Sequence, residues 1–483
     1  MTRTCNNRGW CYVNRSKPER QISDRTVAAV RTDARGAGRR PFLAAQYGLV
    51  EGTVGNARVR GGWRPSMDDA LTTTKIRAIS SESEFFALRT AWDELYRTNT
   101  NNTPYQSWQW NYTWWSHFGS AGRLRLLVGE QDGRLVGIAP FCVSTRLRGW
   151  PIRHLTLISR KHGEYLDLIV RPGAEASFCN ALCEHLSKHA QDALFFELKD
   201  FRSGSTNLPA LLEAAGSVFP AQSMESMEIF VTVPLTATWD GFIATLGKRF
   251  GKDVAYDRRF LARKFAVEFK IATNPEAASG GLQDLIKVYR DRWQGVKGAT
   301  QFDQKDTEKF EREICNVFAQ AGMYRSYLLY VDKEPVAGLL GYVVNDKFFA
   351  SIFMHSPRFQ KFSVGNVLLG MAIEDCIANK WTELDLTRGP EPYKFRWNGQ
   401  QRRNYHLKIF HSRGGLALAS LAEWLYEVGS SLYLLQRARS QLNRLKFILT
   451  GGRSAAAKKL AEPAGTTADA AAPAKPLLDR RET

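Results

Sequence analysis

Histidine and cysteine are both scarce in this chain, and neither is arranged for the chemistry it most often carries. The 483 residues hold eight histidines and seven cysteines. The cysteines stand at 5, 11, 142, 179, 183, 315 and 376, an odd number with no CxxC pair, which argues against a disulfide framework and against a zinc ribbon. Cys179 and Cys183 lie one helical turn apart beside Leu182 and Leu186. The set reads as reduced core thiols of a cytoplasmic protein, with no metal. There is no HExxH, P-loop, dinucleotide GxGxxG or nucleophile-triad motif. No run of eighteen uncharged apolar residues occurs, so no membrane-spanning helix is expected. The first residues lack the apolar stretch of a signal peptide.

Acidic residues are also in deficit, and the net charge is +19. Nearly half of it comes from residues 1–66, where thirteen Lys/Arg face four Asp/Glu. That segment shows no sustained period and is expected to be a disordered basic extension. Met67 opens MDDALTTTKIRAI, which reads like a normal start followed by a first strand, so translation is expected to begin at or near it. A basic balance suits anionic partners: CoA phosphates, lipid surfaces, RNA or acidic glycans.

What is present is an internal duplication. Strands, helices and turns read from residue 76 to 235 recur over the next 180 residues in the same order. The hairpin LLVGEQDGRLVGIAPF, turning at Gln131-Asp132-Gly133, matches LLYVDKEPVAGLLGY, turning at Asp332-Lys333-Glu334. With a one-residue gap in the turn, Gly137 falls over Gly338. LFFELKD, read as a strand over 194–198, falls on TELDLTR, a strand over 383–386. Two more strands are expected over 165–170 and 347–354, and helices over 83–96, 178–189 and 364–379. Trp108, Trp110, Trp114, Trp115 and Phe118 form an aromatic helix face that reads as core. The economical reading is two tandem copies of one mixed α/β domain, at 67–235 and 236–412.

Between the copies, residues 246–270 crowd Lys248, Arg249, Lys252, Arg258, Arg259, Arg263 and Lys264 onto one expected helix, with Phe250, Val254, Leu261 and Phe265 for its buried side. It is a solvated basic face or an anion-binding wall over the second copy's cleft. Over 413–450, Leu421, Leu425, Val428, Leu432, Leu435, Leu442 and Leu449 recur at three- and four-residue steps with a basic end. This amphipathic helix would pack back, self-associate, or lie on a membrane surface, making the protein at most peripheral at the inner membrane. Residues 451–483 read as a disordered tail.

The densest chemistry lies in TELDLTRGPEPYKFRWNG. Leu384 and Leu386 are expected inward and Glu383 and Asp385 outward on a strand that breaks at Arg388-Gly389-Pro390. Glu391, Tyr393, Lys394, Arg396 and Trp397 follow. It is the rim of a site, or an ion-paired loop with Trp397 as a core anchor. A second candidate is PRFQKFSVGNVLLGM, which delivers Arg358, Gln360, Lys361, Ser363, Gly365 and Asn366 to a helix start whose unpaired N–H groups suit a pyrophosphate. At the matching place the first copy has Pro172 and Glu175, so the site is expected in the second copy alone. Direct acyl transfer needs a positioned thioester, a base and an oxyanion donor. Glu391, Asp385 or His355 could be the base; Tyr393 or Lys394 could stabilise the oxyanion or protonate the thiolate.

The run Asp385-Leu386-Thr387-Arg388-Gly389-Pro390-Glu391-Pro392-Tyr393-Lys394-Phe395-Arg396-Trp397 resembles the D-F-x-R-G-x-E-x-Y-K-x-x-W segment of GNAT-superfamily acetyltransferases of the cellulose-biosynthesis (CelD/BcsL-like) type, which carry a BioF-like acetyltransferase domain. Leu386 replaces the aromatic. WWSHFG at Trp114, GIAPF at Gly137, YLDL at Tyr165, the basic stretch near Arg258 and the Arg292-Trp293 pair followed by Lys297-Gly298 also match, so the resemblance spans about residues 75–412. Gln360-Lys361-Phe362-Ser363-Val364-Gly365-Asn366 departs from the common Q/R-x-x-G-x-G/A cradle. The resemblance implies tandem duplicated GNAT-like domains, an α/β (α+β) class with mixed central sheets, plus the C-terminal helix. It implies acetyl-CoA as co-substrate, catalytic roles for Asp385, Arg388, Glu391, Tyr393 and Lys394, and an acceptor side near Arg258, Arg259, Trp293, His355 and Trp397. The acceptor would be a sugar- or lipid-linked precursor of a cell-envelope polysaccharide, with its biosynthetic machinery as partner. Related Fem-like transferases use charged tRNA, which leaves an aminoacyl-tRNA donor as one alternative; a non-enzymatic accessory protein is the other.

Overall fold

The structure, a computed structural model, describes residues 3–5, 11–13, 73–119, 123–160, 162–190, 192–293 and 301–431. The readings of the rest of 1–66, of 432–450 and of the tail fall outside the described residues. Two short strands, Arg3–Cys5 and Cys11–Val13, pair with each other.

The first copy begins with β1 (Lys75–Ile79), α1 (Glu82–Ala87), α2 (Arg89–Arg97) and α3 (Trp108–Phe118). It continues through β2 (Arg123–Gln131), β3 (Arg134–Ser144), β4 (His154–Leu157), the two-residue β5 (Ile169–Val170) and α4 (Glu175–His189). It ends with β6 (Phe195–Arg202), α5 (Asn207–Val218) and β7 (Ala221–Pro234). Helices α6 (Trp239–Thr245) and α7 (Lys248–Lys264) follow. The second copy repeats the order with β8 (Val267–Ala272), α8 (Pro275–Arg292), α9 (Lys305–Gln320), β9 (Tyr324–Val331), β10 (Glu334–Val344), β11 (Lys347–His355), α10 (Val364–Ala378), β12 (Glu383–Arg388), α11 (Pro392–Arg396) and β13 (Gln400–Phe410).

All these strands join one mixed sheet in the order β8-β9-β10-β11-β12-β7-β13-β6-β4-β3-β2-β1, with β5 beside β3. Each copy contributes one parallel pair, β4 with β6 and β11 with β12, while the other ladders are antiparallel. The centre is an exchange. β7, from the first copy, pairs with β12 of the second, and β13, from the second, pairs with β6 of the first. Both strands also pair with each other. Neither copy therefore has a free inner sheet edge.

The second copy's strands are buried on both faces and alternate accordingly. Tyr327, Leu329 and Val331 of β9 and Val336, Ala337 and Leu339 of β10 face a core with Phe242, Phe250, Leu368, Ile373 and Trp397 from α6, α7, α10 and the segment after α11. Leu328, Leu340, Tyr342 and Phe349 face the opposite core with Leu282, Leu285, Phe310 and Phe318 of α8 and α9. The aromatic face of α3 joins this second core. Trp110 packs edge-on to Phe310 (5.4 Å) and parallel to Phe318 (6.2 Å), which ties the first copy to α9.

Three expectations change. Both matching hairpins turn on two residues, Asp132-Gly133 and Asp332-Lys333, all four at positive φ. Each carries a register shift at the same place, so Gly137 corresponds to Ala337 and not to Gly338. The one-residue slip puts the two glycines on opposite faces: a Cβ on Gly137 would meet Phe178 of α4 and one on Gly338 would meet Leu285 of α8. Residues 165–168 are not a strand. Tyr165 sits at φ 52° and the segment is held by side chains, since Gln106 Nε2 donates to the Tyr165 carbonyl at 2.9 Å. The expected helix over 83–96 breaks at Leu88 into α1 and α2. Cys142, Cys179, Cys183, Cys315 and Cys376 are buried free thiols, as expected. Residues 413–431 are helical, and Leu421, Trp424, Leu425 and Val428 of that helix are exposed. Among the described residues no helix is long and apolar enough to cross a membrane.

Candidate active site

Strand β12 runs beside β11 for three residues only, from Glu383 opposite Lys347 to Asp385 opposite Phe349. Past that point β11 stays with β10 as far as His355, whereas Arg388 of β12 pairs with Phe230 of β7. A shift of register in β12 between Asp385 and Arg388, with Thr387 at φ 54°, turns the strand away. Two parallel strands that part leave a fork, and Asp385 stands at its apex.

Leu384 and Leu386 face inward as expected, but the opposite face of β12 is not exposed. The loop before β5 covers it, and Asp385 is 1% exposed. Its Oδ1 accepts a hydrogen bond from the Tyr165 hydroxyl at 2.8 Å and from the Thr387 N–H at 2.7 Å. Burial pushes the carboxyl up to about 7, helped by the charges of Glu383 and Glu164 and opposed by those two hydrogen bonds. At the matching place in the first copy stands Glu197. Burial raises its carboxyl too, but hydrogen bonds from His154 and His406 and the charges of His406 and Arg160 win and hold it well below the usual carboxylate range. Arg160 Nη1 donates to it at 2.6 Å. The two copies thus keep a fixed anion at one apex and a carboxyl that titrates near neutrality at the other.

Arg388 lies across the seam between the copies. Its Nη2 donates to Asp200 Oδ2 of β6 at 2.7 Å, its Nε is 3.9 Å from Glu164, and its guanidinium stacks 5.3 Å from the Phe230 ring. Lys394 is buried. Its ammonium donates to the carbonyls of Arg388 (2.8 Å), Gly389 (3.1 Å) and Thr387 (3.3 Å), and it stands 2.9 Å from Glu391. It clamps the turn in which Gly389 takes φ 107°. Tyr393 is half-buried on α11, with its ring centroid 5.6 Å from that of Phe353 on β11. The pair joins the two arms of the fork beyond its apex. Trp397, expected on the acceptor side, is wholly buried among Phe242 and Phe250. It is a core anchor, the alternative that the sequence also allowed.

The expected donor cradle is assembled in part. Arg358, Gln360 and Lys361 lie in the short turn of 3-10 helix Pro357–Phe362, and Ser363, in the left-handed conformation, begins α10 with no side-chain cap. Arg358 is engaged elsewhere: it pairs with Glu334 and lies 3.4 Å from Asp291. Lys361 is exposed, with Nζ 5.0 Å from the Phe362 ring. Gly365 makes room for a neighbouring side chain. A Cβ there would come within 2.9 Å of the His355 ring, so the absent side chain admits an imidazole. His355 is held toward its neutral form by burial and then by the charge of Arg292, against a backbone hydrogen bond at Ser356. Asn366 is half-buried in the first turn of α10.

Helix α7 packs beside α10. The Asp257 carboxyl hydrogen-bonds the Ser363 side chain, so one of the chain's own acids stands at the helix start. Burial raises its pKa, and Asp253 adds to that. Arg258 pairs with Glu374 of α10 at 2.8 Å, and Arg259 is exposed. Trp293, at the end of α8, is half-buried, and its indole N–H has no partner among the described residues. The fold does not gather these with Asp385 into one surface: Arg258 and Arg259 belong to the α10 side, Trp293 to the other core.

Sequence reading missed Tyr165, Glu164, Asp200 and Asp257. YLDL marked the neighbourhood of Tyr165 and Glu164, and the match of LFFELKD to TELDLTR marked that of Asp200. Nothing in either stretch says that a phenol 220 positions away meets Asp385.

Residues 248–395 match the family model described as an acetyltransferase (GNAT) domain. The protein is an acyltransferase. The matched span runs from α7 to α11 and so contains the fork, the α10 start and the clamped turn. No curated protein matches the chain. Among solved structures it superposes loosely on FemX, with a TM-score of 0.48 at 13% identity, over 70% of this chain and 98% of that one. L-PGS from Bacillus licheniformis gives 0.41 at 13% identity, over 65% and 91%. A tandem GNAT protein from the clavulanic acid biosynthesis pathway gives 0.37 at 11% identity, over 69% and 98%.

Proposed function

We propose that the second copy transfers an acyl group from an acyl thioester, acetyl-CoA, to an amine or hydroxyl of a cell-envelope glycan precursor, as the likeness to the cellulose-biosynthesis type suggests. The observation that carries the chemistry is the carboxyl at the apex of the fork, titrating near 7. A base needs a pKa near the working pH, and Asp385 has it where Glu197 does not. The acceptor's nitrogen or oxygen attacks the thioester carbon and gives its proton to Asp385, with the Tyr165 hydroxyl holding the carboxylate in place. The carbon–sulfur bond breaks, and the departing thiolate takes a proton from Tyr393, which bridges the fork's arms. Arg388, Glu391 and Lys394 then position the loop. Because their charges are already matched, they do not move protons.

Release of free thiol from acetyl-CoA, measured with the full chain and amino-sugar acceptors, tests this. Asp385→Asn should lower kcat/KM by about 10²–10⁴ with little change in KM. Undiminished turnover in that variant would overturn the assignment. A second donor, an aminoacyl-tRNA, is favoured by one observation: Asp257 occupies the helix start where a pyrophosphate would lie. Binding of charged tRNA that falls steeply with salt, without acetyl-CoA binding, would select it.

A further inference from the structure

The α7 helix carries an aromatic column that leads away from the start of α10. Phe362, the residue before Ser363, stacks on Phe260 of α7 with centroids 5.7 Å apart and planes 30° apart. Phe260 stacks in turn on Tyr256, one helical turn back, at 5.7 Å and 8°. Phe265 meets Phe362 edge-on at 4.9 Å and buttresses the inner end. The outer end is open. Tyr256 is 51% exposed, and among the described residues its only ring contact is with Phe260. One ring face is covered and the other meets solvent.

Charge surrounds that open face. On a helix, positions three and four away are neighbours. Lys252 and Arg259 therefore flank Tyr256, and Arg263 and Lys264 flank Phe260. All four are exposed, and none pairs with a carboxylate among the described residues. Arg258, by contrast, is committed to Glu374, and Asp257 turns inward to Ser363. Asp253 is the one acid beside Tyr256, and it is half-buried. A ring with one free face inside a rim of unmatched cations fits a flat heterocycle that carries phosphate.

We propose that Tyr256 stacks the adenine of the acyl donor, and that Lys252, Arg259 and Arg263 take its phosphates. This rests on the donor reading above. Coenzyme A ends in such a group, adenosine 3′,5′-bisphosphate, at the far end of a long arm from its thiol; a charged tRNA instead carries the acyl group on the ribose of its 3′-terminal adenosine. The column places coenzyme A's adenosine along α7, one stack beyond Phe362, so its pantetheine arm runs past Ser363 toward the fork; a tRNA adenosine held there would keep its acyl ester at α7, away from the fork. It also removes the conflict with Asp257, since the phosphates sit on the outer face of α7 and not on the start of α10.

Calorimetric titration of the full chain with adenosine 3′,5′-bisphosphate and, separately, with a short RNA ending in CCA tests the site. Tyr256→Ala should weaken the ligand that binds by about 5- to 150-fold, the range for loss of one base–aromatic stack. Tyr256→Phe, which keeps the ring, should retain affinity. Arg259→Gln/Arg263→Gln should weaken binding and flatten its salt dependence. Phe86→Ala, an exposed ring in the first copy, should change nothing. Loss with the bisphosphate identifies coenzyme A as the source of the adenosine; loss with the RNA alone would overturn the site as the donor's, because the ester of a tRNA bound there stays at α7. Equal affinity in Tyr256→Ala and the unaltered chain, or no binding of either probe at millimolar concentration, would overturn the site. If Tyr256→Ala turned over acetyl-CoA with an unchanged KM, the site would fall while the acyltransfer reading stood.

Discussion

Replacing Lys394 by Met removes one ammonium and keeps the apolar stem, so it opens no cavity. It strips the donors from three carbonyls in the turn after β12 and leaves Glu391 without its cation. Hydrogen bonds to a charged group contribute about 1.5–3 kcal/mol each, and breaking a buried pair by removing one partner costs about 3–5 kcal/mol. These terms overlap, because one ammonium makes them all, so the expected loss is about 3–5 kcal/mol rather than their sum. Urea unfolding followed by tryptophan fluorescence reads it directly. At a slope of about 3 kcal/mol/M the midpoint should fall by about 1–1.7 M. The turn that places Arg388 and Tyr393 should loosen with it, and turnover should fall below the unfolding range. The midpoint of the pH–rate profile should nevertheless stay near 7, because Asp385 sets it. An unchanged urea midpoint with turnover abolished would refute the clamp and restore Lys394 as a reacting group.

Arg388→Met takes the guanidinium off Asp200 and Glu164 at the seam; it should cost about 3–5 kcal/mol in the same assay, and Arg388→Met/Asp200→Asn should recover part of that. The folded Asp385 carboxyl titrates near 7 and the unfolded one near 4, so its contribution is full below about pH 4 and is lost as pH rises through 7. Asp385→Asn should therefore gain on the unaltered protein by about 4 kcal/mol between pH 4 and 8, read as denaturation midpoints across pH. A flat difference would show that the carboxyl ionises normally. Gly365→Ala should destabilise by about 1–3 kcal/mol despite its better helix propensity, since the added carbon meets the His355 ring; Gly365→Ala/His355→Ala should relieve the clash in thermal unfolding.

The duplication, the hairpins with their turn residues, the apolar helix after β11 and the short strand before Arg388 were all legible in the sequence. Each depends on neighbours close along the chain: alternation for a strand, positive-φ residues for a turn, three- and four-residue spacing for a helix. The phenol, ammonium and guanidinium in DLTRGPEPYKFRW were legible too, as residues, and the family match over 248–395 bears out the acyltransferase reading drawn from them. What those side chains touch was not legible. Lys394 and Trp397 look like reagents in a row of letters, and the fold buries both.

The tertiary structure decided the seam. Exchange of β7 and β13 brings Glu164, Tyr165 and Asp200 of the first copy against Asp385 and Arg388 of the second. It buries the face of β12 that alternation marked as outward, and burial lifts Asp385 toward neutrality. A carboxyl's pKa depends on how much water and which charges lie within a few ångströms of it, and the distant ones here come from a loop 220 residues away. Sequence by itself determines which residues are near in the chain, and hence the elements and their repeat. Only the folded sheet determines which are near in space, and so which of two matching acids is a fixed anion and which can take a proton.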